Sequence, residues 1–349
     1  MYRYIENLPP IAYRSAAWRM YTDGLAVGFL DLETTGLSRK KDAVILGGLI
    51  RVEGDGSQTM TQLLCDDRSE EATMLAEFWA QVRDCHILVT YNGDSFDLPF
   101  LKERLLRFSI ASEEELPLFL SLDLYHVFRS YCPMSSLLSD LRQKTVEDAL
   151  GLTVYRRDQI DGGESVRLFE EYALLNQQCS IEEAGPHPRK EQLRETILLH
   201  NRDDLLQLTR LMKLLDKVDL HRVMSRRGFP VRCGQTLFLV ERIALNKKEW
   251  RIEAASRNLS QDMDVFMPAC RLVHHASDHR LTVCISVMHL QGCIVADLEA
   301  LPGDYSSLAR YPSYESGYLI LHDGKEVAYA PMNHCIQLFL SGLPLAEQL

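Results

Sequence analysis

The feature that most constrains the fold is a strand that ends in acid. The stretch "AVGFLDLETTGLS", residues 26–38, opens as a continuous apolar run and then sets Asp31 and Glu33 two residues apart at its end. Short apolar runs of this kind are core strands, and side chains at i and i+2 of a strand share a face, so both carboxylates aim at one point. Burying an ion costs several kcal/mol unless something pairs with it. Two acids delivered together by a core strand therefore point to a cation, and the turn Thr34-Thr35-Gly36 closes the strand beside them.

The segments that follow supply a sheet around that strand. "DAVILGGLIRVEG" and "QTMTQLLCDD" read as two further strands joined through "EGDGS", which gives an antiparallel meander. From Ser69, "SEEATMLAEFWAQVRDC" carries a capping serine, acids in its first turn, and Met74, Leu75, Phe78, Trp79 and Val82 at helical spacing. "HILVTYNG" reads as a strand ending in Asn-Gly, "FDLPFLKERLLRF" as a helix opened by Asp97 and Pro99, and "FLSLDLYHVF" as another strand. After the loops "YRRDQIDGGES" and "EEAGPHPRK", a long helix is expected from about residue 190 to about residue 215, with Leu193, Ile197, Leu205, Leu208, Leu211 and Met212 marking its buried side.

Beyond residue 217 the character changes. "RLTVCISVMHL" alternates apolar and polar residues, and "YLILHDGKEVAYA" reads as two strands around an Asp323-Gly324 turn. At 349 residues, with 46 % hydrophobic and 25 % charged residues, the chain is longer than one core usually supports. The expected organisation is an α/β domain over 1–216, with a mixed sheet flanked by helices, and a smaller β-containing domain over 217–349.

Charge and cysteine narrow the partners. Lys+Arg 38 against Asp+Glu 49 leaves a formal net charge of −11, which argues against a protein that holds nucleic acid by bulk electrostatics alone. Local basic character exists: residues 217–280 hold twelve Lys/Arg against seven Asp/Glu, with Arg222, Arg226, Arg227 and Arg232 close together and Phe229 and Trp250 available to stack on bases. The nine cysteines are scattered and never spaced as Cys-x-x-Cys, so they read as reduced thiols. The first residues lack a signal-peptide core, and no apolar run approaches the ~20 residues that span a bilayer. A cytoplasmic protein without a membrane partner is expected.

Three segments place carboxylates at a strand end or on a helix: "FLDLETTG", "YNGDSFDLPFL" and "HNRDD". In this order and at these separations they resemble the three motifs of the DEDD superfamily of 3′-to-5′ exonucleases, which have a ribonuclease H-like fold, and most of all its YprB-like bacterial branch. "TVEDALGL" and "RRDQIDGG" are similar to the segments that connect the second and third motifs there. The resemblance spans about residues 24–215.

The resemblance implies that Asp31, Glu33, Asp97 and Asp204 bind two divalent metal ions, Mg²⁺ or Mn²⁺, both of which prefer hard oxygen ligands. Family spacing favours Asp97 over Asp94 and Asp204 over Asp203. It also implies that His200, one helical turn before Asp204, orients or deprotonates the attacking water, so that replacing it would reduce turnover and leave metal binding intact. Thr34, Thr35, Gly36 and Asn92 are expected to meet the terminal nucleotide. Asp123, Glu147 and Asp161 are read as structural or hydrogen-bonding acids. The activity implied is hydrolysis of single-stranded or frayed RNA or DNA from the 3′ end. A ribonuclease H-type endonuclease and a non-catalytic nucleic-acid-binding protein are the alternatives.

Overall fold

The computed structural model describes the chain except for residues 11, 12, 14, 114, 115, 117, 118, 159, 161, 182–186 and 346–349, so Asp161 lies outside the described residues. Two compact units result. Unit 1 comprises Met1–Ser15, Thr22–Pro117 and Ser121–Val218, and unit 2 comprises Ala16–Tyr21, Leu118–Leu120 and Asp219–Leu349.

In chain order the elements up to residue 123 are β1 (Tyr2–Leu8), α1 (Ala16–Thr22), β2 (Val27–Thr34), β3 (Val44–Val52), β4 (Gln58–Leu64), α2 (Glu71–Val82), β5 (Ile87–Thr90), α3 (Asp97–Arg107) and β6 (Leu120–Asp123). The six strands form one sheet in the order β1-β4-β3-β2-β5-β6. β2, β3 and β4 are the antiparallel meander, and β5 joins β2 in parallel. β1 escapes the sequence reading because its side chains alternate between half-exposed and exposed, which removes the apolar signal, yet all seven residues pair with β4.

The rest of unit 1 is helical: α4 (Leu124–Tyr131), α5 (Gln143–Ala149), α6 (Gly162–Ile181) and α7 (Pro188–Leu211). The stretch "FLSLDLYHVF" is not one strand. Its first half is β6, and Asp123 then accepts a hydrogen bond from the Tyr125 amide at 3.0 Å, capping α4 and turning the chain into a helix.

The two faces of the sheet are set by a glycine pair in β3. Successive residues of a strand face opposite sides, so Gly47 and Gly48 open both. A Cβ at Gly47 would lie 2.8 Å from the Phe78 ring of α2, and one at Gly48 would run into the Asn201 amide of α7. These absent side chains let α2 cover one face while α7 presses its middle turns against the other, beneath the end of β2. On α7, Leu193, Ile197, Asn201, Leu205 and Leu208 are buried at spacings of three and four, which leaves His200 and Asp204 together on the adjacent edge.

Unit 2 contains helix α8 (Leu220–Arg227), a six-stranded antiparallel sheet, a four-stranded sheet and a closing helix α9 (Tyr329–Ser341). The six-stranded sheet takes β7 (Phe229–Cys233), β8 (Thr236–Leu245), β9 (Glu249–Arg257), β10 (Met263–Phe266), β11 (Cys270–His275) and β12 (Arg280–Ser286). Phe229 and Trp250 are both fully buried in it, so they are core residues and not stacking platforms. The segment after Asp323-Gly324 does not return as a strand. Asp323 caps the turn by accepting from the Lys325 and Glu326 amides, only the His322–Val327 bridge forms, and Met332, Ile336, Phe339 and Leu340 then fall on the buried face of α9.

Candidate metal centre

The first-motif acids sit where the sequence reading puts them, at the end of β2. Asp31 is part-buried, and its Oδ2 accepts from Asn201 Nδ2 at 2.8 Å, which ties β2 to α7. Asn201 is itself held by Gln62 of β4, whose Nε2 donates to Asn201 Oδ1 at 2.8 Å. Glu33 is buried, and its Oε1 lies 3.6 Å from His200 Nε2. Asp97, the first residue of α3, is buried and accepts from the Leu32 amide at 3.1 Å, so it reaches β2 between the two first-motif acids.

Between β5 and α3 the turn is shaped by Asp123. Its carboxylate accepts from the amides of Asn92 at 2.8 Å and Asp94 at 3.1 Å, and Asn92 adopts the left-handed conformation with φ 64°. Asp94 points the other way, accepting from the Ser121 hydroxyl. Asp97 rather than Asp94 therefore meets the end of β2. Asp94, Asp123 and His126 do form a second group of possible ligands, with ligand atoms within 4.8 Å of one another.

On α7 the adjacent acids separate. Asp203 is buried and accepts from the amides of Arg157 and Asp158 at 2.5 and 2.8 Å, which anchors the loop before α6. Asp204 faces the β2 acids, with Oδ2 at 3.6 Å from His200 Nε2 and Oδ1 at 2.6 Å from Arg156 Nη2. Glu33, His200 and Asp204 thus bring three ligand atoms within 4.8 Å of one another.

Two residues the sequence reading does not single out organise this edge. Arg156 pairs with Glu147 through Nε and Nη2 at 2.9 and 2.8 Å, with Asp158 at 2.6 Å and with Asp204. Asp158 in turn holds His200 Nδ1 at 2.8 Å. No local pattern in "RRDQIDGG" announces these contacts, because they reach 42 and 48 residues along the chain. Asn201 does carry a legible signal: it is a polar residue at a position where the α7 periodicity calls for an apolar one.

The electrostatics fit a cation. Burial, then Asp204, Glu33 and Asp97, push the Asp31 carboxyl well above its ordinary range, and the Asn201 hydrogen bond opposes this. Burial raises Glu33 to about 7 against the pull of His200, and raises Asp97 to about 7 against its amide hydrogen bonds. Asp204 is raised by burial, with His200 and Arg156 opposing. Asp158 moves the other way: its bonds to His200 and Arg156 overcome burial and hold it far below the carboxylate range. Among the described residues the basic side chains paired with these acids and Glu147 are Arg156, His200 and, on Asp158, Lys144. Among the described residues Asp31, Glu33 and Asp97 gain no Lys or Arg partner, and a set of oxygen donors with surplus negative charge is what divalent cations select.

The turn after β2 is tightly bonded. The Thr34 hydroxyl donates to the Gly36 carbonyl at 2.7 Å, while the Thr35 hydroxyl accepts from the Ala43 amide at 3.0 Å and keeps its own proton to donate.

A family profile described as the RNase_H superfamily matches residues 28–216, more than half of the chain. The chain belongs to the RNase_H superfamily. Its sheet is the ribonuclease H-like mixed sheet flanked by helices, followed by a smaller β-containing part, and its candidate metal-ligand groups are consistent with phosphodiester hydrolysis. A sequence comparison with the curated proteins finds no match. Among solved structures it is similar to Escherichia coli exonuclease I in complex with a dA16 oligonucleotide, at 14 % identity, 62 % of this chain, 55 % of that chain and a TM-score of 0.30. An ExoI/SSB-Ct complex aligns with 14 % identity, the same coverages and a TM-score of 0.29. The chain spans about half the length of these structures, and overlaps this loose transfer no residue role or substrate. Among the described residues no helix is long and apolar enough to cross a membrane.

Proposed function

We propose that this chain is a metal-dependent 3′-to-5′ exonuclease of the DEDD type, in its YprB-like branch, acting on single-stranded or frayed nucleic acid. The observation that carries the reading is that Asp31 and Glu33 of β2, Asp97 bonded to the Leu32 amide and Asp204 grouped with Glu33 and His200 all lie at the end of β2, where Arg156 is the one Lys or Arg paired with any of them among the described residues. Those four residues would hold a pair of Mg²⁺ or Mn²⁺ ions. Such ions, when bound, supply Lewis-acid stabilisation of the attacking and leaving oxygens and a more acidic water.

The protein's own part is to fix the donors. Asn201 orients Asp31, the Leu32 amide orients Asp97, and Arg156 orients Asp204. Asp158 sets the His200 ring, and burial of that ring limits the approach of bulk water. The Thr35 hydroxyl, the Gly36 backbone and Asn92 are the groups proposed to meet the terminal nucleotide. In unit 2, Arg226 over Tyr329 at 6.0 Å and Arg310 over Tyr311 at 4.9 Å replace Phe229 and Trp250 as the aromatic and cationic groups proposed to contact a strand.

The test is incubation of the purified chain with end-labelled RNA and DNA in Mn²⁺, Mg²⁺ or EDTA. A metal-dependent ladder shortened from the 3′ end is expected. Internal cuts would reassign the chain to endonucleases of the ribonuclease H type, and binding without products would remove the enzymatic reading.

A further inference from the structure

We propose that His200 is itself a metal ligand, not a base acting on a metal-bound water, and that Asp158 is the residue that positions it. The inference rests on the nuclease reading of the same site. It starts from the two ring nitrogens. Asp158 Oδ2 sits 2.8 Å from Nδ1, so a neutral ring carries its proton there and turns the Nε2 lone pair, the position a metal ion would take in place of a second proton, to the carboxylates. A metal-bound histidine characteristically donates its other N–H to a carboxylate in this way.

The ring is not free to swing. Asp158 is held through Oδ1 by Arg156 at 2.6 Å, through Oδ2 by Lys144 at 3.3 Å, and through its amide by Asp203 at 2.8 Å. The side chain of His200 is only 5 % exposed.

Distance then separates ligand from base. Nε2 is 3.6 Å from Glu33 Oε1 and 3.6 Å from Asp204 Oδ2. A water hydrogen-bonded to the nitrogen and to either oxygen would hold that pair about 4.4 Å apart. Glu33, His200 and Asp204 each offer one ligand atom within 4.8 Å of the other two, a spread that a single ion with bonds of about 2.0–2.4 Å can span. One imidazole nitrogen among carboxylate oxygens favours Mn²⁺ over Mg²⁺, because imidazole suits transition metals better than it suits Mg²⁺.

The experiment is pulsed electron paramagnetic resonance on the metal-stripped full chain loaded with substoichiometric Mn²⁺. The expected spectrum carries the hyperfine coupling of one directly coordinated imidazole nitrogen, retained in His126→Gln and lost in His200→Gln. Asp158→Ala is expected to weaken Mn²⁺ binding about 10–100-fold by calorimetry, with the far-ultraviolet circular dichroism of the metal-free chain unchanged. Bound Mn²⁺ without a nitrogen coupling in the wild-type chain would overturn the assignment, whatever the variants do. A coupling abolished by His126→Gln instead would move the ion to the Asp94–Asp123–His126 group and overturn it equally. Mn²⁺-dependent cleavage without the coupling would sink the ligand role alone, whereas the coupling in a chain that cleaves neither RNA nor DNA would sink the nuclease reading alone.

Discussion

Asp203 and Asp204 are neighbours on α7, both drawn into the protein, and they belong to two differently built regions. Asp203 faces the loop that carries Arg156, where every acid is answered: Asp203 by two backbone amides, Glu147 by a two-point Arg156 contact, Asp158 by Arg156, Lys144 and His200. Asp204 faces the end of β2, where among the described residues Asp31, Glu33 and Asp97 share no Lys or Arg and burial, with neighbouring acids, raises their proton affinity. Buried carboxylates thus come in two kinds. The answered ones hold the fold, as Glu71 also does by pairing with buried Arg104 between α2 and α3. The unanswered ones impose a cost on folding that a proton or a bound cation relieves, and that is what marks them as a site.

The largest effect expected from this contrast is on activity. Asp31→Asn or Asp97→Asn should lower Mn²⁺-dependent phosphodiester cleavage about 1,000-fold, measured on an end-labelled oligonucleotide. The same variants should make the metal-free chain more stable by about 1–2 kcal/mol in urea, since each removes a carboxylate charge that no Lys or Arg among the described residues neutralises. Loss of both activity and stability would erase the distinction between the two regions.

Next in size is Arg156→Ala, which leaves Glu147 and Asp158 short of their cation and should cost about 3–5 kcal/mol in the same denaturation experiment. Asp203→Asn weakens two charge-assisted amide contacts and should cost about 1–3 kcal/mol while leaving Mn²⁺ affinity near the wild-type value. An Asp203 variant that lost metal binding and kept its stability would exchange the roles of the two neighbours.

The smallest effect is a slope with pH. Glu33 and Asp97 titrate near 7 in the folded chain, well above unfolded carboxyls, so the folded state holds extra protons between roughly pH 4.5 and 7. Their contribution to stability is complete below the unfolded values and is lost as pH rises through about 7, at no more than about 1.4 kcal/mol per pH unit for each proton released. Asp158, held low, acts in the opposite sense, and its contribution disappears on acidification below the ordinary carboxyl range. Urea midpoints of the metal-free chain should therefore fall between pH 5 and pH 8, and saturating Mn²⁺ should flatten or reverse that trend.

The unanswered region was the legible one. Asp31 and Glu33 announce themselves because two acids ending an apolar strand conflict with burial, whereas the choice of Asp97 over Asp94 and of Asp204 over Asp203 comes from the family resemblance, since local spacing serves either member of each pair. The meander, β5 and α7 were readable from local spacing. The answered region was silent, because nothing near Arg156 in sequence shows that it reaches both Glu147 and Asp204. β1 carries no apolar alternation, Asp123 gives a strand-like segment a helical second half, and α9 begins where a hairpin turn suggested a return strand. In each case a long-range pairing or a cap outweighed the local pattern.

Joint use of the four carboxylates stands or falls on calorimetric titration of the metal-stripped chain with Mn²⁺ near neutral pH. Saturable binding of a pair of ions is expected, with proton release seen as a heat that changes with the buffer's ionisation enthalpy, and with affinity weakened at least about 10-fold in both Asp31→Asn and Asp97→Asn. Wild-type binding that persists unaltered in those two variants, or the absence of saturable binding in the wild-type chain, would contradict the metal centre.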